Sequence, residues 1–364
     1  MKGARIAITV ATMLLCAAVS GCAASSADPI IKVSCGTNIS AVAPPSGSIV
    51  ELQRGCAFGG SLVIKSSNVK ITAYGSGPAP IIALGHDGAA VALFGSHDVV
   101  ENLSLRGVAP STWTCRGQRT PAGHVDGVDI ESGTALDIVQ NVKATGFYAA
   151  VNVFPGSSRD KILYNTFTAN LELNINDKKS SAGAFGVLLR GDRGFVEHNT
   201  INDNQACSLA FGYDGSAIEV SGGSFNLISY NKASNVNAFT ELGSPPGTIA
   251  TGNYYSHNTV TADRNDLSVT FLITRGSKSN FGPVLNTKVF FNTVKLTGKG
   301  NFGAVSYAWK KGDGTLLTLT KNDLDLGKNE VLFENGGYVN GGGNHFVGIC
   351  RPKIACAPKI QPYR

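Results

Sequence analysis

A short apolar strand that ends in asparagine recurs about every 30 residues along most of this chain. A second short strand follows each asparagine and a third precedes it, and no segment between them has a helical period. One coil of three short strands cannot bury its inward face alone, so many coils must stack. The sequence therefore predicts an all-β solenoid of about ten coils rather than a β-sandwich with unrelated turn asparagines. The recurring residues are Asn102, Asn141, Asn165, Asn199, Asn231, Asn258, Asn292, Asn322 and, as a weaker member, Asn344.

The composition agrees with a stack of short strands and tight corners. Only 15% of the 364 residues are charged, and 44 are glycine. The low charge excludes a disordered chain, and the net charge of +6 is far from that of a nucleic-acid-binding protein. We therefore expect a single solenoid domain, a monomer, and no nucleic-acid partner.

The first residues have the pattern of an export signal. Lys2 and Arg5 precede the apolar run 6–19, and Gly21-Cys22 follows it. This pattern resembles the lipobox of bacterial lipoproteins, which implies cleavage before Cys22, a lipid on its thiol and attachment to a membrane or cell surface. The alternative is an ordinary signal peptide cut near Ala24, and a secreted or periplasmic protein. The predicted division is a signal at 1–21, a tether at 22–34 and a β-helix domain at 35–364, with a cap at 35–60 and a tail at 345–364.

Six cysteines are left once Cys16 and Cys22 are set aside, and an even number in an exported chain indicates disulfides. Sequence proximity favours Cys35–Cys56 near one end and Cys350–Cys356 near the other. The remaining pair would be Cys115–Cys207. No C-x-x-C pair or His/Cys cluster suggests zinc.

The repeat resembles the right-handed parallel β-helix, or pectin-lyase-like, fold over roughly residues 38–348. Phrases such as Asn226-Leu227-Ile228-Ser229-Tyr230-Asn231 carry the resemblance. In that family the asparagine corner follows the second strand of each coil. The resemblance therefore places Asp129, Glu219 and Glu241 on first strands.

Length insertions flank these first strands. The segments 107–123, 170–183 and 203–215 precede first strands, and 243–247 and 276–286 follow them. Insertions in solenoids gather on the binding face, so we expect a groove there, although loops also tolerate drift in length. Alternation of side chains predicts that Asp129, Glu131, Asn152, Arg190 and Glu219 point outward into it, with Glu241 aligned on Glu219. A solvated acidic stripe is the alternative interpretation.

The mixture of acids and bases loosely resembles the β-helical alginate lyase and chondroitinase B family. That resemblance implies β-elimination on an acidic, uronate-containing polysaccharide, with Ca²⁺ held by Asn152, Glu219 and Glu241. Arg190, Arg275 and Lys278 would be the catalytic base and acid, and Asp129, Glu131 and Trp113 would bind substrate. The family's Lys shortly after the glutamates is absent from 221–225. The alternative function is a non-catalytic surface β-helix that binds a glycan or a partner.

Two other patterns bear on function. The paired aspartates and the Gly-His-Gly element of polygalacturonases are missing, which disfavours inverting hydrolysis of that type. Five rings occupy the position before successive corner asparagines, and they predict either a structural ladder or, less favoured, a sugar-stacking ridge. These rings are Tyr164, His198, Tyr230, His257 and Phe291.

Overall fold

The computed structural model describes residues 28–108, 124–262, 267–277, 282–310, 312–351 and 356. Three long parallel sheets of 11, 12 and 11 strands run along this part of the chain, and each strand pairs with its equivalent in the next coil. The architecture is a right-handed parallel β-helix, as the repeat predicts. The signal segment 1–21, the lipidation residue Cys22, Trp113 and Lys278 lie outside the described residues.

The first sheet carries most of the residues predicted for function. Its strands are Leu62–Ile64, Gly88–Leu93, Val125–Ile130, Ala149–Val153, Phe185–Leu189, Ser216–Ser221, Ala238–Gly243, Thr270–Arg275, Phe302–Tyr307, Val331–Glu334 and Ile349–Cys350.

The second sheet leads into the asparagine corner, and the third sheet leaves it. The second comprises Ile30–Val33, Ile49–Gln53, Lys70–Tyr74, Val99–Glu101, Ile138–Gln140, Lys161–Leu163, Phe195–Glu197, Leu227–Ser229, Tyr254–Ser256, Thr287–Phe290, Leu317–Thr320 and Tyr338–Asn340. The third comprises Ala57–Gly59, Ile81–Ala83, Ser104–Arg106, Lys143–Thr145, Thr166–Thr168, Thr200–Asn202, Lys232–Ser234, Thr259–Ala262, Thr293–Leu296, Asp323–Asp325 and His345–Val347.

Three short strand pairs and one 3-10 turn complete the described structure. The pairs are Leu173–Asn176 with Ser181–Gly183, Ala206–Ser208 with Gly212–Asp214, and Ala250–Thr251 with Val284–Leu285; the turn is Ile39–Ala41. No helix among the described residues is long and apolar enough to cross a membrane.

The predicted inward residues form one continuous core. Val128, Val151, Val187 and Ile218 occupy the same register in successive coils, and all four are fully buried. Each apolar side chain therefore packs against its equivalents above and below, which removes apolar surface from water without a second layer of structure.

Buried asparagines connect the coils at the corner after the second sheet. The Asn165 amide nitrogen of the backbone donates to Asn199 Oδ1 at 3.0 Å, and Asn165 Nδ2 also donates to that oxygen at 2.9 Å. The same pattern continues through five further residues: Asn231, Asn258, Asn292, Asn322 and Asn344. This asparagine ladder satisfies backbone groups that the sharp corner takes out of the sheets.

The first two asparagines of the repeat are not members of this ladder. The residue that donates to Asn165 Oδ1 is Val142, so Asn141 lies one position before the ladder. Asn102 and Asn141 have φ values of 60° and 53° and take the left-handed position that Tyr164 takes in the next coil. Asn tolerates that conformation, so one residue type serves two adjacent corner positions. The single register expected from the sequence is wrong for these two residues.

Replacing Asn231 with Ala should lower the free energy of unfolding by about 2–4 kcal/mol, since it leaves several buried polar groups without partners. Asn231 accepts from Asn199 and donates to the Val196 carbonyl at 2.8 Å. Urea unfolding measures the loss. Asn202→Ala, at a partly exposed position on the third sheet, is the control and should cost under about 1 kcal/mol. Equal losses in the two variants would contradict a supporting role for the ladder.

Two of the predicted disulfides are confirmed. Cys35 pairs with Cys56 and Cys350 with Cys356, with Cα–Cα distances of 5.3 Å and 6.0 Å. Cys207 is also disulfide-bonded. Cys115 lies outside the described residues, so the pair Cys115–Cys207 stays a prediction.

Strands of the solenoid extend into both terminal segments of the predicted division. Ile30–Val33, assigned to the tether 22–34, pairs in parallel with Ile49–Gln53 and forms the edge strand of the second sheet. In the predicted tail 345–364, the segments His345–Val347 and Ile349–Cys350 continue the third and first sheets. Edge strands pair on one side only, so they carry a weaker repeat pattern than central strands.

Candidate functional site

The insertions that flank the first sheet form its two borders. The hairpins 173–183 and 206–214 stand on one side and contact each other, because Ser181 Oγ lies 2.8 Å from Ser208 Oγ and donates to Asp214 Oδ2 at 2.7 Å. The short ribbon of 250–251 with 284–285 lies after the first strands, on the other side. The outward face of the first sheet is thus the floor between two borders, which we call the groove.

One outward row of the groove floor is confirmed by the strand register. Glu219 pairs with Glu241 in the next strand, as the sequence predicts. Neighbouring strands lie about 4.8 Å apart, so the two carboxyl groups project side by side. The aligned row runs Asp129, Asn152, Leu188, Glu219, Glu241, Ile273, Val305 and Glu334.

Glu219 and Glu241 have different electrostatic environments. Glu241 forms an ion pair with Arg275, whose guanidinium lies 5.3 Å from the centre of the Tyr307 ring. Among the described residues no ion pair with Glu219 is found, and this carboxyl group accepts a hydrogen bond from Ser216 Oγ at 3.0 Å. Burial, and then the charge of Glu241, raises the pKa of Glu219 well above its usual range. The arrangement therefore places an acid with a raised pKa beside a carboxyl group that is paired with Arg275.

Two further groups surround this acid pair. Burial raises the pKa of Asp214 to about 7, and the charge of Glu241 acts in the same direction. Tyr148 packs against His124 and Phe185, with ring centres 4.9 Å and 5.2 Å away. Its pKa is raised by burial and by the nearby carboxylates. Tyr148 stays a neutral hydroxyl at every pH at which the fold would work.

A second cluster lies nearer the N-terminus of the groove. Asp126 is fully buried and accepts hydrogen bonds from the Ala149 backbone nitrogen at 3.1 Å and from Asn152 Nδ2 at 2.8 Å. Burial raises the pKa of Asp126 and, with the adjacent Asp126 charge, raises that of Asp129 further. The two aspartates share one proton. Arg190 donates to Asn152 Oδ1 at 2.8 Å and completes this network.

The structure divides the predicted site residues between these clusters. Glu219, Glu241 and Arg275 are together, whereas Asp129, Glu131, Asn152 and Arg190 are together elsewhere. Asn152 lies two strands from Glu219, a separation of about 10 Å, whereas Ca²⁺ needs its oxygens at 2.3–2.6 Å. The described residues contain no group of three or more His, Cys, Asp or Glu that could hold a metal. The predicted three-residue calcium set does not converge.

Sequence reasoning missed Asp126, Asp214 and Tyr148. Strict alternation assigns Asp126 to the inward face of Val128, yet it bonds to the outward Asn152. The neighbouring Gly127 has no space for a side chain, since an added Cβ would lie 2.4 Å from the Ala150 carbonyl oxygen. A glycine between two aspartates on a first strand was the available signal.

The ring row at the corner is a structural ladder. Successive ring centres from Tyr164 to Phe291 lie 4.7–5.1 Å apart and the planes are nearly parallel. Lys321 covers the outer face of Phe291 at 5.2 Å. Neighbouring rings cover the faces of the three inner rings, so these rings offer no free face to a sugar.

Comparison with known proteins shows the fold. No family model and no curated protein sequence matches the chain. DFA-IIIase from Arthrobacter chlorophenolicus A6 in complex with DFA-III gives a TM-score of 0.54 at 12% identity, covering 84% of this chain and 74% of that one. The tailspike protein of E. coli bacteriophage HK620 in complex with a hexasaccharide gives 0.55 at 12% identity, covering 87% and 60%.

A third solved structure is the catalytic domain of a GH87 α-1,3-glucanase in complex with nigerose. It gives a TM-score of 0.51 at 10% identity and covers 91% of this chain and 67% of that one. At these identities the likenesses show a shared β-helix and no more. The chain spans 60% of the tailspike's length.

Proposed function

We propose that this protein is a carbohydrate-active enzyme that hydrolyses glycosidic bonds in the groove of the first sheet. The observation that carries the proposal is the pair Glu219 and Glu241: two adjacent carboxyl groups, of which Glu219 has a raised pKa and Glu241 is paired with Arg275. A carboxyl group that holds its proton beside a second carboxyl group is what acid catalysis of glycosidic cleavage requires.

The spacing of the two acids favours a retaining mechanism. Retaining glycosidases hold their carboxyl groups about 5–5.5 Å apart, close to one strand spacing. Glu219 would protonate the leaving oxygen while Glu241 attacks the anomeric carbon and forms a glycosyl ester. Glu219, now ionised, would then remove a proton from water, and the attack of that water on the anomeric carbon releases Glu241.

The structural neighbours support a carbohydrate ligand. Three solved β-helix proteins with TM-scores above 0.5 were determined with DFA-III, a hexasaccharide or nigerose bound. The groove has the elements such a ligand needs, namely carboxyl groups, an amide, two arginines and aromatic rings along one extended floor.

The β-elimination of a uronate-containing polysaccharide, expected from the sequence, is the second candidate. Arg190 and Arg275 favour it, because two guanidinium groups in the groove could receive uronate carboxylates. Both already face carboxylates of this chain, Arg275 through Glu241 and Arg190 through Asp129 and Glu131. Neither guanidinium group is therefore an unmatched positive charge, so the charge balance supports a neutral glycan better.

Incubation of the protein at pH 5–7 with neutral α- and β-glucans and fructans, and with alginate, pectate, glucuronan and chondroitin, separates the candidates. We expect new reducing ends from a neutral glycan, with no ultraviolet absorbance from a new double bond. Absorbance on a polyuronide, lost on chelation of Ca²⁺, would instead establish the lyase and its calcium. Retention of a glycan without any product would establish a binding protein and overturn the proposed function.

A further inference from the structure

A second outward row runs parallel to the acid pair. Each of its members lies two residues after the position that the same strand contributes to the first row. The backbone hydrogen bonds from Glu131 to Leu93, from Phe154 to Ile130 and from Arg190 to Val153 align these members from strand to strand. The row is Phe94, Glu131, Phe154, Arg190, Ser221, Gly243, Arg275 and Tyr307. We call its first four residues the ledge.

The ledge alternates aromatic and charged side chains at one strand spacing. Phe94 is 52% exposed, and Phe154 lies two strands farther along, about 10 Å away. Glu131 stands between them and Arg190 follows, with its guanidinium 4.4 Å from the centre of the Phe154 ring. Aromatic faces and hydrogen-bonding groups that alternate at nearly the length of one sugar unit match an extended sugar chain.

Arg190 is positioned by one hydrogen bond and has a second donor without an acceptor among the described residues. Its Nη2 donates to Asn152, whereas its buried Nε has no hydrogen-bond acceptor among the described residues. An unpaired buried N–H is costly, so a ligand hydroxyl at this point would be stabilising. The carboxyl groups of Asp129 and Glu131 lie close enough to Arg190 to offset its charge. The ledge therefore suits neutral sugar hydroxyls better than carboxylates.

The side chains of this second row are small beside the acid pair. Ser221 lies two residues after Glu219 on the same strand, and Gly243 lies two residues after Glu241 on the next strand. The absence of large side chains there leaves room for a sugar ring beside the acid pair. Phe154 and Arg190 close the row again toward the N-terminus, two and one strands away from Ser221.

We propose that the ledge of Phe94, Glu131, Phe154 and Arg190 is a run of sugar subsites leading to the acid pair. The ligand class is a neutral polysaccharide that extends three to four units from the bond that is cleaved. This inference rests on the proposed function for the position of the cleaved bond. It adds that the enzyme acts on chains rather than on disaccharides.

The test compares chain-length dependence in matched variants. Neutral gluco- and fructo-oligosaccharides of two to eight units are incubated with the wild type, Phe94→Ala, Phe154→Ala and the double variant. We expect wild-type kcat/KM to rise about tenfold or more between short and long substrates, and the double variant to lose most of that rise. The loss in the double variant should grow with the length of the substrate. Tyr164→Ala, which removes a 57% exposed ring at the distant corner, should behave like the wild type.

The outcomes separate the two proposals. Cleavage with the same length dependence in the wild type and the double variant overturns the ledge and leaves the proposed function intact. Length-dependent binding to Glu219→Gln, measured by calorimetry and lost in Phe94→Ala, supports the ledge even if the wild type yields no product, in which case the proposed function fails. Absence of both binding and cleavage in all these series overturns the ledge.

Discussion

Glu219→Gln should lower the rate of glycan hydrolysis by about 1000-fold, because the amide cannot donate a proton to the leaving oxygen. The glutamine keeps the size of the side chain and can still accept from Ser216, so the thermal unfolding midpoint should stay within a few degrees of the wild type. Release of reducing ends from the best substrate found for the wild type measures the effect.

Glu241→Gln should have a similar effect for a different reason. It removes the anionic partner of Arg275 and the nucleophile, so the first step fails even with the acid in place. Glu334→Gln is the matched control, since Glu334 belongs to the same outward row but has no aligned acid in the neighbouring strand, where Val305 stands. Loss of less than tenfold in both Glu219→Gln and Glu241→Gln would exclude this pair as the catalytic acids.

The pH dependence of the wild type and of Glu219→Gln provides a second test of the role of Glu219. Since the pKa of Glu219 is raised, wild-type kcat/KM should fall as the pH rises through the range where Glu219 loses its proton. A glycoside with a good leaving group needs little acid assistance. Glu219→Gln should therefore retain more activity on an aryl glycoside than on the natural bond, and its alkaline fall should be absent. An unchanged profile would assign that fall to another group.

The repeat made the fold and the alignment of Glu219 with Glu241 predictable. Both follow from strand periodicity, and the structure reproduces them residue by residue. Periodicity could not identify Asp126 as a member of the second cluster, because strict alternation assigns it to the inward face, yet it accepts from the outward Asn152. Nor could it find Asp214, which reaches the acid pair from a hairpin outside the repeat.

The sequence also could not predict which acids Arg190 and Arg275 would pair with in the groove. Arg190 and Arg275 resemble two free cations in the sequence, whereas the fold places Arg275 against Glu241 and Arg190 among Asp129, Glu131 and Asn152. The net charge at a site depends on which partners meet and on how burial moves their pKa values, and both are properties of the folded chain. The expected acidic substrate rested on these two arginines together with Lys278, which lies outside the described residues, and a bound cation.

A buried row of aspartates leads into the second sheet and should make the fold most stable in acid. The Oδ1 atoms of Asp98, Asp137 and Asp160 accept from the backbone nitrogens of Val69, Asp98 and Asp137 at 2.8, 2.8 and 3.1 Å. All three side chains are at most 3% exposed. Burial raises their pKa values to about 7, 6 and 7, respectively.

The direction of the pH effect follows from these shifts. The unfolded chain loses these protons near pH 4, whereas the folded protein keeps them until about pH 6–7. Between these values the folded state binds more protons, so the free energy of unfolding falls as the pH rises. Each pKa unit corresponds to about 1.4 kcal/mol, and we expect the three residues together to cost at least roughly 3 kcal/mol at pH 8 compared with pH 4.

Later coils of the same row indicate the substitution that tests this pH dependence. In later coils the equivalent acceptors are amides: Asn226 Oδ1 accepts from the Gly194 nitrogen at 2.7 Å, and Asn253 Oδ1 from that of Asn226 at 3.0 Å. Changing Asp98, Asp137 and Asp160 to Asn imitates their protonated form at every pH. The triple variant should match the wild type in urea unfolding below about pH 4 and exceed it by at least roughly 3 kcal/mol at pH 8.

Carboxyl groups of the groove with raised pKa values act in the same direction, so the difference between the two proteins isolates the row. A control in which Asp28, Asp87 and Asp325 become Asn removes the same three charges from exposed positions and should leave the pH dependence as it is in the wild type. If that surface variant gains as much stability at pH 8 as the triple variant of the row, the loss of carboxylates in general rather than the burial of these three aspartates sets the pH dependence of the fold.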